Sequence, residues 1–253
     1  MLHLYNYNGL PFYTNDDISL RNHFIATISE KIKNILWEQN RAWDFHQIES
    51  CSLIPTEYVN SNYTEEDVYF IGDLALKPET TSASYFYAEH LFNQQQKLPL
   101  CVYQASKSFR KEQDQATKHC RFKEFYQLEF QCIYSEDTKN DYQRNVIEKL
   151  ANMFSELLTL PTRIVLSDRL PSYSLKTIDI EVFNNDKWME ISSVSLRNDF
   201  KYKPIMKNKE IRCLVLEIAI GLDRLIYNNS LKKTVNNISV SNLLEQDIVN
   251  ISQ

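Results

Sequence analysis

The chain has 253 residues, 43% of them hydrophobic and 24% charged, which suits one large domain with a buried core. Its formal net charge of −5 argues against a broad surface gripping nucleic-acid phosphates, though a local basic patch is compatible with that sum. Only three glycines are present, which excludes a glycine-rich phosphate loop and a dinucleotide fingerprint, so a bound nucleotide has to be held by side chains.

Ile25, Ile28, Ile32, Ile35 and Leu36 recur at helical spacing and predict a helix over 18–37. An extended segment over 45–55 follows, closed by Pro55. Residues 65–69 are acidic and read as a loop, and 80–92 as a helix. Two strands, 100–112 and 122–134, are joined by a polar loop. Val146, Leu150, Met153 and Leu157 share one face of a second strong helix over 141–160. Short strands are expected at 163–166, 177–183 and 188–195, then an apolar strand at 211–220 that runs into a helix beginning at 221–228. Strands in runs, rather than in strict alternation with helices, favour an antiparallel β-sheet flanked by helices, an α+β domain.

The five cysteines, Cys51, Cys101, Cys120, Cys132 and Cys213, are odd in number and form no C-x-x-C pair, as in reduced intracellular proteins. The start of the chain lacks a signal-peptide pattern, and no apolar run approaches the ~20 residues of a membrane span. The expectation is a cytoplasmic protein with no membrane partner.

Side chains alternate faces along a strand. Over 122–134, Tyr126, Leu128, Phe130, Cys132 and Tyr134 share a core face, while Phe125, Gln127, Glu129 and Gln131 share the other. Arg110 and Glu112 likewise share a face of the preceding strand. One reading is a half-solvated hairpin. The other is a nucleotide site: an Arg fork suits phosphate, a carboxylate accepts from an exocyclic amine, and an aromatic ring stacks on a base.

The order of the residues decides between them. Phe109-Arg110-Lys111-Glu112, a loop, and Arg121-Phe122-Lys123-Glu124-Phe125 resemble motif 2 of class II aminoacyl-tRNA synthetases, F-R-x-E then R-x-R-E-F in glycyl enzymes, with Lys123 in place of the second Arg. Leu76-Lys77-Pro78-Glu79-Thr80 resembles the glycyl L-R-P-E-T segment. Trp188-Met189-Glu190 and Arg197-Asn198-Asp199-Phe200 are similar to its G-W-x-E and R-T-D-F strings, and Thr177-Ile178-Asp179-Ile180-Glu181 to its T-D-I-E run. Glu217 to Arg224 resembles motif 3, with motif 2 over about 100–134 and motif 3 over about 211–228. Motif 1, over about 18–55, matches in shape only.

The resemblance implies the class II catalytic core, of the seryl/threonyl/prolyl subgroup and nearest the glycyl type. It implies ATP and Mg²⁺ as cofactors, and homodimerisation through motif 1. Arg110 would hold the α-phosphate and Arg224 the γ-phosphate side. Glu112 would contact the adenine amino group, Phe125 would stack on adenine, Arg121 would be a second nucleotide contact, and Glu217 would help place Mg²⁺. Glu79 and Glu129 would hold the substrate ammonium, with Gln127, Ser193 and Ala219 also in the amino-acid pocket. The implied reaction is aminoacyl-adenylate formation followed by transfer to tRNA through its acceptor stem.

Two departures stand out. Ala219 occupies a glycyl-type Ser position, and Ser193-Val194-Ser195-Leu196-Arg197 replaces G-I-A-D-R, closer to a seryl strand. Glycine leads among substrates, with serine and alanine open. Few residues follow Arg224, so the expectation is a single catalytic domain over 1–253 without an anticodon-binding domain. A paralogue that loads a non-tRNA acceptor, or a non-catalytic accessory subunit, is the alternative.

Overall fold

The computed structural model describes residues 5–7, 10–60, 62–111, 121–168, 172–206 and 209–235. The strands are β1 (Tyr5–Tyr7), β2 (Leu10–Phe12), β3 (Asp44–Gln47), β4 (Leu53–Pro55), β5 (Phe70–Ile71), β6 (Leu74–Leu76), β7 (Leu100–Phe109) and β8 (Glu124–Ser135). They continue with β9 (Thr162–Leu166), β10 (Ser174–Asn184), β11 (Lys187–Arg197), β12 (Ile205–Met206), β13 (Lys209–Glu210) and β14 (Cys213–Gly221). The helices are α1 (Asn15–Gln39), α2 (Thr81–Asn93), α3 (Tyr142–Leu158) and α4 (Leu222–Val235). None of the described helices is long and apolar enough to cross a membrane.

Seven strands form the main sheet in the order β3-β7-β8-β14-β11-β10-β9, and β4-β6-β5 form a small second sheet. The expected antiparallel pairing holds across the main sheet except at its edge, where β3 runs parallel to β7. The reason is the connection. Between β3 and β7 the chain builds the small sheet and α2, a crossover long enough to bring it back in the same direction. The expected extended segment over 45–55 therefore splits, because β3 and β4 belong to different sheets.

α1 begins at a capping box in which Thr14 and Asp17 bond each other's backbone N–H groups, and it buries Phe24, Ile28, Ile32 and Leu36. α3 is capped by Asp141 and ends at Thr159 in the left-handed region (φ 52°). Together with α4 these helices cover one face of the sheet, packing on Leu128, Phe130, Cys132, Leu216, Ile218 and Ile220. α2 lies on the opposite face, over Leu100, Val102, Ile133, Val215 and Phe200. Both faces of the sheet are thus buried, so the hairpin of β7 and β8 is not half-solvated.

Asp223, at the start of α4, joins three distant segments. Its Oδ1 accepts from the Tyr13 hydroxyl at 2.8 Å and its Oδ2 from the Tyr126 N–H at 2.8 Å. Arg21 of α1 sits 4.0 Å from the Tyr126 ring centroid. Burial pushes the Asp223 carboxyl up to about 7, against the pull of the two hydrogen bonds.

Two stability measurements follow from this packing. Phe154 is fully buried under the sheet, and Phe154→Ala should cost about 3–5 kcal/mol, read as a lower urea midpoint at constant slope. A carboxyl whose native pKa lies above its unfolded one contributes most below the unfolded value, and loses that contribution as pH rises through the native value. For Asp223 the window runs from 3.8 to about 7. Asp223→Asn retains an acceptor for the Tyr126 N–H and a donor for the Tyr13 oxygen, so the stability decline across that window should flatten. A variant with the wild-type slope would show that Asp223 does not titrate there.

Candidate active site

The register of the strands lays a polar floor on the α2 side of the sheet. One row across it reads Gln104, Glu129, Ala219, Ser193 and Asp179. The next reads Gln131, Glu217, Ser195 and Thr177. The following row turns apolar at Leu100, Ile133 and Val215, under α2, and ends on Arg197. Ala219 and Gly221 leave the middle of the floor bare beside Arg224. A Cβ added at Gly221 would lie 3.4 Å from Arg224 Cδ.

Above this floor opens a cleft of about 700 Å³. Of the residues anticipated from sequence, Arg110, Arg121, Phe125, Gln127, Glu129 and Glu79 line it. So do Ser193, Glu217, Ala219 and Arg224. Glu112 lies outside the described residues.

Both signs of charge line the cleft. β7 delivers Arg110, whose backbone N–H bonds Lys123 O at 2.9 Å and so extends the hairpin by one pair. The Arg110 Nε donates to Pro78 O at 3.1 Å, and its guanidinium carbon lies 5.3 Å from the Phe125 ring centroid. Arg224, on the first turn of α4, donates to Glu190 O at 2.7 Å and pairs with the Glu190 carboxylate at 3.1 Å.

Three carboxylates converge. Glu129 accepts from Thr81 Oγ1 at 2.7 Å, from Gln131 at 2.6 Å and from Gln127 at 2.5 Å. Burial, then the charges of Glu217 and Glu79, push its carboxyl up to about 7. Burial likewise raises Glu79, against the opposing pull of Arg197. Glu217 accepts at one oxygen, Oε2, from Thr81 at 3.2 Å, from Gln131 at 3.0 Å and from Arg197 Nη1.

Those contacts decide how Glu217 suits a metal. A guanidinium and two neutral donors crowd one oxygen, and a divalent cation beside Arg197 would meet like charge. Among the described residues no group of three or more His, Cys, Asp or Glu is arranged to hold a metal ion. The described residues thus offer no all-protein cage for magnesium, and a cation at Glu217 would share that carboxylate with Arg197.

Several participants were given no role by the sequence, although Arg197 stands in the Arg197–Phe200 string. Arg197 is completely buried, binds both Asp199 oxygens at 3.0 and 2.6 Å, and lies 3.9 Å from the Tyr173 ring centroid. The strand expected at 188–195 in fact runs on to Arg197, which puts it on the same face of β11 as Ser193 and Ser195. Thr81, which bonds both Glu129 and Glu217, sits one residue past the matched Leu76–Thr80 string. Tyr63 contacts Glu79 and Arg110 from a loop with no periodic pattern to betray it.

Known proteins resemble this chain in sequence and in fold. The sequence model of the family described as tRNA synthetase class II core domain (G, H, P, S and T) matches residues 63–228. The glycine–tRNA ligase of Mycoplasma capricolum subsp. capricolum is 27% identical over 212 residues, covering 76% of this chain and 45% of that one. The glycine–tRNA ligase of Mycoplasma mycoides subsp. mycoides is 26% identical over 212 residues, with the same coverage. The chain thus spans about half the length of the curated relatives it matches. In fold, it is similar to prolyl-tRNA synthetase from Cryptosporidium parvum complexed with halofuginone and AMPPNP. That match has a TM-score of 0.71 at 15% identity, over 90% of this chain and 48% of that one. Cytoplasmic serine-tRNA ligase from Naegleria fowleri in complex with AMP gives a TM-score of 0.64 at 16% identity, over 87% and 55%. With its family match spanning well over half the sequence and its sheet built to the same plan, this chain belongs to the class II tRNA synthetase core domain family.

Proposed function

We propose that the chain activates a small amino acid with ATP, forming the aminoacyl adenylate, and passes the aminoacyl group to tRNA. Glycine is the first candidate, with serine and alanine behind it. One observation carries this reading: Arg110, Phe125 and Arg224 line the same cleft as Glu79 and Glu129. An amino acid carries its ammonium beside its carboxylate, and ATP carries its negative charge on the phosphates. Carboxylates and guanidinium groups in one cleft offer partners to both.

In the first step a carboxylate oxygen attacks the α-phosphorus in line, the bond to the bridging oxygen breaks, and pyrophosphate leaves with the electron pair. The chemistry needs no side-chain nucleophile, only alignment and neutralisation of developing charge. Arg110 takes the α-phosphate and Arg224 the γ-phosphate side. Phe125 stacks on adenine, and Arg121 makes a second nucleotide contact. Glu79 and Glu129 hold the ammonium, and Gln127, Ser193 and Ala219 line the rest of the amino-acid pocket. We read the chain as one catalytic unit, paired with a second copy through α1 and meeting the tRNA acceptor stem.

ATP–pyrophosphate exchange with a panel of amino acids tests the reading. Exchange should depend on glycine, serine or alanine, and Arg110→Ala or Arg224→Ala should lower it about 10²–10³-fold. Exchange without tRNA charging would point to another acceptor, and no exchange with any amino acid to a non-catalytic subunit.

The pH profile offers a second handle. Glu129 must be ionised to hold an ammonium, and its carboxyl titrates at about 7. The amino-acid KM should therefore climb as pH falls through that value. Glu129→Gln should raise KM and flatten this dependence, leaving the share carried by the likewise raised Glu79; an unchanged profile in the variant would move the effect elsewhere.

A further inference from the structure

We propose that Tyr63 is a positioning residue that makes the ATP and amino-acid subsites bind cooperatively, an inference that rests on the reading of the cleft given above. The Tyr63 hydroxyl donates to Glu79 Oε2 at 3.2 Å and accepts from Arg110 Nη2 at 3.0 Å. It therefore stands between the carboxylate at the amino-acid end and the guanidinium at the phosphate end. Burial, reinforced by the charge of Glu79, holds the phenol protonated, so its single proton points one way, toward Glu79. The Arg110 guanidinium also lies against the ring, 5.5 Å from its centroid.

The loop that carries Tyr63 is anchored on both sides of the cleft. Tyr63 N–H bonds Asn60 O at 3.0 Å, and Ser82 Oγ donates to Tyr58 O at 2.6 Å. Across the cleft mouth, Ser172 Oγ donates to Asn62 Oδ1 at 2.6 Å. Asn60 Nδ2 reaches the other oxygen of Glu79 at 3.3 Å. Asn60 touches only the carboxylate, whereas Tyr63 touches both charged partners.

A hydroxyl held between a cation and an anion is polarised by each, and each bond strengthens the other. An ammonium arriving at Glu79 weakens that carboxylate as an acceptor. The phenolic oxygen then becomes a poorer acceptor for Arg110, and its Nη2 is more readily surrendered to phosphate. Phosphate arriving first works in reverse: it draws Nη2 away, the O–H becomes a weaker donor, and Glu79 is released toward the ammonium. Each ligand loosens the bond that the other has to break, so the coupling is positive, and by linkage it is equal in both directions.

Calorimetric titration of α,β-methylene-ATP, which cannot form an adenylate, with and without saturating glycine measures this coupling, with serine and alanine run in parallel. Wild type should bind the analogue about 5-fold or more tightly when the amino acid is present. In Tyr63→Phe the hydroxyl alone is gone, and the factor should drop below about 2 while thermal stability is retained. Asn60→Ala should weaken glycine binding yet keep the wild-type factor, because it severs no link to Arg110. A Tyr63→Phe protein with the full wild-type factor overturns the proposal and leaves amino-acid activation standing. Wild type that binds neither ligand overturns both.

Discussion

A single buried guanidinium makes the floor of the cleft sustainable. Glu79, Glu129 and Glu217 converge at one end of it, all mostly withdrawn from water. Burial and mutual repulsion each favour protonation, and both Glu79 and Glu129 are raised accordingly. Arg197 opposes this from beneath. It is gripped by Asp199, pairs with Glu217 and is roofed by the Tyr173 ring. Burial works against its charge, but Glu217 chief among its neighbours holds it raised and charged. Breaking a buried pair leaves an uncompensated charge, a loss on the order of 3–5 kcal/mol.

Around that ion pair the neutral groups are distributed so that each carboxylate finds donors. Thr81 lies between Glu129 and Glu217 and bonds both. Gln131 bonds Glu129 on its own strand and Glu217 on the next, and Gln127 reaches Glu129 from the other side along β8. Such a layer is secure in proportion to how far its members are satisfied, and Gln131 Oε1 is a buried floor atom with no hydrogen-bond partner. The apolar support on the other side of the sheet, from α1, α3 and α4, fixes the strands in register and hence the spacing of every floor residue.

Much of this was legible because strands impose a parity that survives without coordinates. Phe125, Gln127, Glu129 and Gln131 alternate with Tyr126, Leu128, Phe130 and Cys132, and the two sets do face opposite sides of the sheet. The strings around Arg110, Glu79, Glu217 and Arg224 placed those residues in elements that the fold brings to one cleft. Parity could not say that both faces are covered, since that depends on α2 crossing over the floor. Nor could it say that β3 turns parallel, since direction is set by the path of the intervening chain. Glu217 illustrates the limit of position alone. Its place on β14 was legible, but its engagement by Arg197 comes from a neighbouring strand.

By itself the sequence determined the longer elements, the faces of the 122–134 strand, and the lack of glycines for a glycine-rich phosphate cradle. These follow from local periodicity and composition, which need no knowledge of neighbours. The tertiary structure alone decided which charges meet: Arg197 with Glu217, Tyr63 with both Glu79 and Arg110, Asp223 with Tyr13 across 210 positions. Such meetings depend on strand order and loop path, because electrostatic and hydrogen-bond energies act through distances in space and carry no memory of separation along the chain.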